Sequence, residues 1–526
     1  MRRYELKGDF RCVYYLSEKC RTWIAAKTIF LLAPNKIASS NEKLEAFAAE
    51  SGWLNAMEQD GAVLVLMRAE QGWQNESVDR IQKTYKAVWA DAMSPDPGDI
   101  RGTVWCWETL IFLAGYREGA VYAGNAAVAH PNMFADVAMI DGVPSDYSRG
   151  EENSDQWLLP DASPESMRKN REIPVSVWML GNEDTSEAEA YFQSSAKSLD
   201  QVMVSRETVL PNADTTARIM RMFDTRIRWK NSPDGTPARC LSQREFESSG
   251  EYVADVIENR GYRYPFYTRV PKGVHSTANM PVVISLHGHG ESARLFSGKN
   301  GWPQISDETR GFILVLPDSP ENAWYVERDE GILEPLIEKL VQRYQIDRSR
   351  VYLTGFSNGG MATSWFGTRH PELFAAISPW NPPMPAWEAD LEKDGWQMPL
   401  FAVNGDKDHK IAFALKNFDS MLEHYIRLNG GTPRKAALKK PMTWAYDECW
   451  NAENKYSQQE GYAQGERLTA YAYRNTAGSA RVCFLEIKDM PHGAIHDEAR
   501  ATWQFLCRFS RPDGGKTVVE RPLSES

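Results

Sequence analysis

Ser357 lies in Thr354-Gly355-Phe356-Ser357-Asn358-Gly359-Gly360, a Gly-x-Ser-x-Gly turn between the apolar run Val351-Tyr352-Leu353 and a helix-like segment ending at His370-Pro371. Glycines two positions either side of a serine suit a strand reversing sharply into a helix, where side chains have no room. The chemistry open to such a serine is nucleophilic attack. Its hydroxyl reacts well only when a histidine takes its proton and a carboxylate orients that histidine. By itself the pattern turns up by chance in roughly one chain in five of this length. Its partners must therefore carry the reading.

Those partners follow in the order acid, then histidine. Leu400-Phe401-Ala402-Val403 reads as a strand ending in Asn404-Gly405-Asp406-Lys407-Asp408. Asp408 is the expected acid, and Asp406 is the alternative, otherwise a turn residue. Val482 to Ile487 reads as the last strand and is followed by Asp489-Met490-Pro491-His492-Gly493. His492 is the expected base. His496 is its alternative, otherwise a solvated residue near the start of the final helix, whose packing side carries Trp503, Phe505, Leu506 and Phe509.

A tetrahedral oxyanion needs two backbone N–H donors, one from the residue after the nucleophile and one from the loop after an early strand. Asn358 is the first by position. The loop His287-Gly288-His289-Gly290 after Leu286 provides the second, expected at His289. No ligand cluster stands beside His287 and His289, so no metal is expected, and the chemistry needs no cofactor. For substrate contacts the candidates are Trp380, in Ser378-Pro379-Trp380-Asn381-Pro382-Pro383, and Trp444 and Trp450 in the aromatic insert 435–470 between acid and base. Aromatic residues there suit an aromatic or apolar group, and local packing explains them equally well.

The elements that must position these residues alternate between short apolar runs and amphipathic stretches. Residues 4–16 read as a hairpin around Gly8-Asp9. Thr28 to Ala33 and Ala62 to Met67 read as buried strands, with a helix from about Leu44 to Met57 between them. Leu110 to Ala114 follows a second helix bearing Val78, Ile81, Tyr85 and Val88. This order predicts a parallel sheet covered on both faces. It returns from residue 251, with two strands around Gly261, strands at Pro281 to Leu286 and Phe312 to Leu316, and an amphipathic helix from Ile332 to Tyr344.

The halves align. Gly115-Tyr116-Arg117-Glu118-Gly119 matches Gly355-Phe356-Ser357-Asn358-Gly359, and the match runs without a gap to His130-Pro131 against His370-Pro371. The chain is therefore read as a tandem α/β duplication, with domains 1–240 and 241–526 and a linker at Asn231 to Pro237. Arg117 replaces the nucleophile, His130 is the first half's only histidine, and Asp184 keeps the acid position without a base. The first domain is expected to be non-catalytic.

The 526 residues exceed one ordinary core, and 42% apolar with 25% charged content is that of a folded, water-soluble protein. A net charge of −11 speaks against nucleic acid or an anionic membrane as a partner. The charged first thirty residues contain no secretory signal, and no ~20-residue apolar span follows. Seven scattered cysteines without Cys-x-x-Cys spacing suit reduced thiols in the cytoplasm. The oligomeric state stays open, a homo-oligomer included.

The motifs Leu286-His287-Gly288-His289-Gly290-Glu291-Ser292, Gly355 to Met361, Gly405-Asp406-Lys407-Asp408 and Pro491-His492-Gly493 resemble the polyhydroxybutyrate depolymerase and feruloyl esterase group of α/β-hydrolases. The resemblance covers about residues 251–510. It implies tandem α/β-hydrolase domains and hydrolysis of a small or oligomeric carboxylic ester, feruloyl-like or hydroxyalkanoate, through an acyl-enzyme. A serine peptidase of the prolyl-oligopeptidase kind shares the residue order, and a non-catalytic binding protein is the other alternative.

Overall fold

The structure is a computed structural model that describes residues 1–22, 24–94, 99–155, 157, 167–231, 235–383, 395–408, 415–431, 454–456, 468–475 and 479–521. It divides into two compact units, Met1–Ser242 and Gln243–Ser526.

In the first unit, β1 (Arg2–Leu6) and β2 (Cys12–Leu16) form the expected hairpin, and β2 continues antiparallel onto β4 (Val63–Met67). The other pairings, among β3 (Ala25–Leu32), β4, β5 (Trp105–Tyr116), β6 (Asp136–Ile140), β7 (Val177–Leu180) and β8 (Val202–Ser205), are all parallel. The sheet order is β1-β2-β4-β3-β5-β6-β7-β8. β4 reads Val-Leu-Val-Leu-Met with every residue buried, as a strand covered on both faces must be.

Two expectations need correction here. The helix expected from Leu44 to Met57 is two helices, Asn41–Glu50 and Trp53–Asp60, because Gly52 at φ 84° breaks the turn and packs its bare Cα against Ala213. The stretch read as a linker at Asn231 to Pro237 lies inside the first unit. Its Thr236 and Pro237 belong to β10 (Thr236–Arg239), which pairs antiparallel with β9 (Arg226–Trp229).

The second unit repeats the plan. Its strands are β11 (Val253–Asn259), β12 (Tyr262–Arg269), β13 (Val282–Leu286), β14 (Ile313–Pro317), β15 (Val351–Phe356), β16 (Ala376–Trp380), β17 (Leu400–Gly405), β18 (Asn454–Tyr456), β19 (Leu468–Arg474) and β20 (Ala480–Ile487). The order β11-β12-β14-β13-β15-β16-β17-β20-β19-β18 matches the first sheet strand for strand through β20. Within the insert 435–470, residues 454–456 pair with β19 and so extend the sheet edge. Leu333, Leu336, Ile337 and Leu340 recur every three or four residues on the helix Leu333–Tyr344 and are all buried. Each contributes roughly 1.5–3 kcal/mol by leaving water.

Candidate active site

β15 delivers its chain into the helix Asn358–Arg369 through Ser357, which is held at φ 54°, ψ −119°. That conformation costs a non-glycine residue about 1–3 kcal/mol, so neighbouring contacts must enforce it. The Ser357 N–H donates to the Trp380 carbonyl at 2.8 Å. A Cβ on Gly359 would come within 2.4 Å of the Leu286 carbonyl oxygen, and one on Gly355 within 2.4 Å of that of Gly359. Only glycine lets the helix start this close to β13 and β15.

The structure brings Ser357, His492 and Asp408 together. His492 Nε2 is 2.7 Å from Ser357 Oγ, and His492 Nδ1 is 2.5 Å from Asp408 Oδ2. An ionised carboxylate can only accept, so the Asp408 contact puts the imidazole proton on Nδ1 and leaves Nε2 to accept from the serine. Asp408 is buried, and the His492 side chain is only 11% exposed. Phe356 lies against the imidazole with ring centroids 5.0 Å apart.

The alternatives find other work. Asp406 Oδ1 accepts from the Met490 N–H at 3.3 Å, bracing the loop before His492, and burial raises its carboxyl above the ordinary range. His496 is exposed on the first residue of the helix His496–Leu506, with Nε2 3.4 Å from the Gly298 carbonyl oxygen. Phe509 lies beyond that helix, in a short strand, and is buried like Phe505.

Asn358 opens its helix, so its N–H has no acceptor within the helix. Its side chain is spent on Trp324, accepting from the Trp324 N–H at 2.6 Å and donating to the Trp324 carbonyl at 3.0 Å. His287 is buried. The Ser319 N–H donates to its Nε2 at 3.2 Å, so the ring proton sits on Nδ1, 2.8 Å from the Gly288 carbonyl oxygen. His289 follows on a half-buried loop position beside these groups.

Trp380 is a correction. Its indole is fully buried, stacks on Trp302 with centroids 5.7 Å apart, and donates from Nε1 to Ser378 Oγ and Thr502 Oγ1, both at 3.1 Å. It is a core residue. Trp444 and Trp450 lie outside the described residues. Sequence reasoning missed Asn381, buried at φ 45°. Its Oδ1 accepts from Gly405 N–H at 2.9 Å, and its Nδ2 donates to the Gly493 carbonyl at 2.8 Å. It thus ties the strand of the acid to the residue after His492. The only sequence signal was a short polar residue at a strand end.

The first unit keeps the turn without these partners. Arg117 holds φ 51°, ψ −117°, and its N–H donates to Ile140 O at 2.7 Å. His130 bridges Asp79 at 2.9 Å and Asp155 at 3.0 Å. Asp184 is exposed and accepts from Ser186, which lowers its carboxyl. Leu32 meets Gly119 as Leu286 meets Gly359, so Asn35 takes the place of His289. The Asn35 N–H is capped at 3.3 Å by the carboxylate of Glu118, the counterpart of Asn358.

Among the described residues no group of three or more His, Cys, Asp or Glu side chains could hold a metal ion.

Residues 335–412 match the prolyl oligopeptidase family model. The chain is 24% identical over 252 residues to a bifunctional acetylxylan esterase/xylanase of Neocallimastix patriciarum, covering 47% of this chain and 33% of that protein. It is 30% identical over 110 residues to feruloyl esterase B of Thermothelomyces thermophilus, covering 19% and 38%. It is 28% identical over 149 residues to poly(3-hydroxyalkanoate) depolymerase C of Paucimonas lemoignei, covering 25% and 35%. The chain thus spans about a third of the length of each of these relatives. By its sheet order and its strained Gly-x-Ser-x-Gly turn the second unit has an α/β-hydrolase fold, and in sequence the chain is similar to feruloyl esterases and poly(3-hydroxyalkanoate) depolymerases.

Proposed function

We propose that the second unit is a serine carboxylic ester hydrolase working through an acyl-enzyme, and that the first unit is a non-catalytic copy of it. The observation that carries this reading is the hydrogen-bonded chain Asp408–His492–Ser357 on the elbow.

Ser357 Oγ attacks the ester carbonyl carbon as its proton passes to His492 Nε2, and Asp408 stabilises the imidazolium. The carbonyl oxygen gains the negative charge and is held by the N–H groups of Asn358 and His289. Collapse breaks the ester C–O bond, and His492 returns the proton to the departing alcohol. A water molecule, deprotonated by His492, then releases the acid. Similarity to an acetylxylan esterase, a feruloyl esterase and a poly(3-hydroxyalkanoate) depolymerase supports testing a panel of acetyl, feruloyl and hydroxyalkanoate esters.

The family-model match supports a second reading, amide hydrolysis. Matched ester and peptide substrates separate the two. Fast ester turnover with a fluorophosphonate adduct on Ser357 is expected. Fast peptide cleavage with negligible ester turnover would establish the peptidase instead, and absence of any adduct would remove both.

A further inference from the structure

Glu291 and Lys299 form an ion pair of 2.9 Å in which both side chains are almost wholly buried, 1% and 2% exposed. Removing two charges from water is costly, and apolar residues of similar volume commonly serve a fold as well or better. The pair sits beside the His289 loop and the ring that rests on His492. The second oxygen of Glu291 accepts from the Gly288 N–H at 2.9 Å, one residue before His289. The Glu291 carbonyl accepts from Asn322 Nδ2 at 2.6 Å, and the Asn322 carbonyl accepts from Gly290 N–H at 2.8 Å. His289 is thus clamped on both flanks. Lys299 Nζ lies 3.3 Å from the ring centroid of Phe356, the ring that rests on His492.

The first unit supplies an internal control. Ser40 and Ser292 cap equivalent helices, each accepting from the N–H three residues on. Seven residues past these caps stand Phe47 and Lys299. Phe47 packs edge-on to Tyr116, with ring centroids 5.3 Å apart, where Lys299 packs on Phe356. Ile37 N–H donates to Pro34 O as Glu291 N–H donates to Gly288 O, which makes Ile37 the counterpart of Glu291. The unit with Arg117 in place of the nucleophile carries a half-buried Ile37 and a buried Phe47 at these positions. The fold therefore does not require the charges.

We propose that Glu291 and Lys299 are positioning residues for the ester hydrolysis assigned to the second unit. Glu291 aims the His289 N–H at the developing oxyanion, and Lys299 seats Phe356 beneath the His492 ring. The proposal rests on that assignment.

The test uses the full chain, p-nitrophenyl acetate and titration of reactive serines by a fluorophosphonate. The double variant Glu291→Ile with Lys299→Phe copies the first unit, and Glu291→Gln keeps the shape while removing the charge. The expected result is a fall in kcat per titrated site of about 100-fold for the double variant and about 10-fold for Glu291→Gln, with KM within about twofold. If the titrated fraction falls while kcat per titrated site stays at the wild-type value, the pair is merely structural and the proposal is overturned. If the double variant does not fold, Glu291→Gln decides by the same criterion. Wild-type protein that neither labels nor turns over ester would instead overturn the hydrolase assignment.

Discussion

Arg117 and Ser357 share one backbone conformation, φ 51°, ψ −117° against φ 54°, ψ −119°, at the same junction between the fifth strand of a sheet and the helix that follows. The turn is thus separable from its chemistry. Ser357→Ala is expected to abolish ester turnover and fluorophosphonate labelling. Arg117→Ser is expected to restore neither in that background, because His130 and Asp184 are engaged elsewhere. Initial rates above buffer in the Ser357→Ala protein would contradict this.

Asp408→Asn should lower kcat by about 10⁴-fold with the melting temperature nearly unchanged, since the amide keeps the shape but favours the wrong imidazole tautomer. Asp406→Asn should cost less than about tenfold, because Asp406 braces Met490 and leaves His492 alone. Steady-state kinetics of both variants with thermal denaturation checks the ranking.

Asn381→Ala removes both hydrogen bonds of a buried side chain in a left-handed conformation. A loss of about 2 kcal/mol or more in stability is expected, together with a kcat that falls more than KM rises. Asn381→Gly relieves the backbone strain, so it should recover stability without recovering kcat. Parallel recovery of both would sink the assignment of Asn381 as a brace for the His492 loop.

Gly119→Ala tests whether the elbow of the first unit is kept for packing. Its new Cβ would lie 2.1 Å from the Leu32 carbonyl oxygen. The strand and helix must part, and the expected cost is about 1–3 kcal/mol or more. An unchanged melting profile would refute it.

Asp136 is fully buried at the start of β6, and desolvation pushes its carboxyl up to about 6, partly opposed by Arg226. Because its pKa is higher folded than unfolded, its contribution to stability is complete below about pH 4 and is lost as the pH rises through about 6. The stability difference between wild type and Asp136→Asn should therefore change across that window by up to about 3 kcal/mol, in favour of the variant at higher pH. Denaturant titrations at pH 4, 5, 6 and 7 measure it, and a difference independent of pH would contradict it.

The parallel-sheet plan, the duplication and the grouping of Ser357, Asp408 and His492 were legible because they rest on local signals. Apolar runs mark buried strands, glycine spacing marks the elbow, and catalytic side chains follow strand ends in a fixed order. Asp408 was preferred over Asp406 in the sequence, yet both follow the same strand, and only the fold decides which carboxylate reaches His492.

Trp380 shows the limit most plainly. At a strand end one residue decides between core and cleft, because alternate side chains face opposite sides of the sheet. The sequence by itself determined the α/β plan, the elbow and the order of its partners, all of which depend on near neighbours along the chain. Only the tertiary structure decided that Trp380 is core, that Asn381 joins the loops of acid and base, and that Glu291 and Lys299 lie buried beside them. Such pairings form between segments far apart in sequence, and their geometry exists only once the sheet has brought the strand ends together.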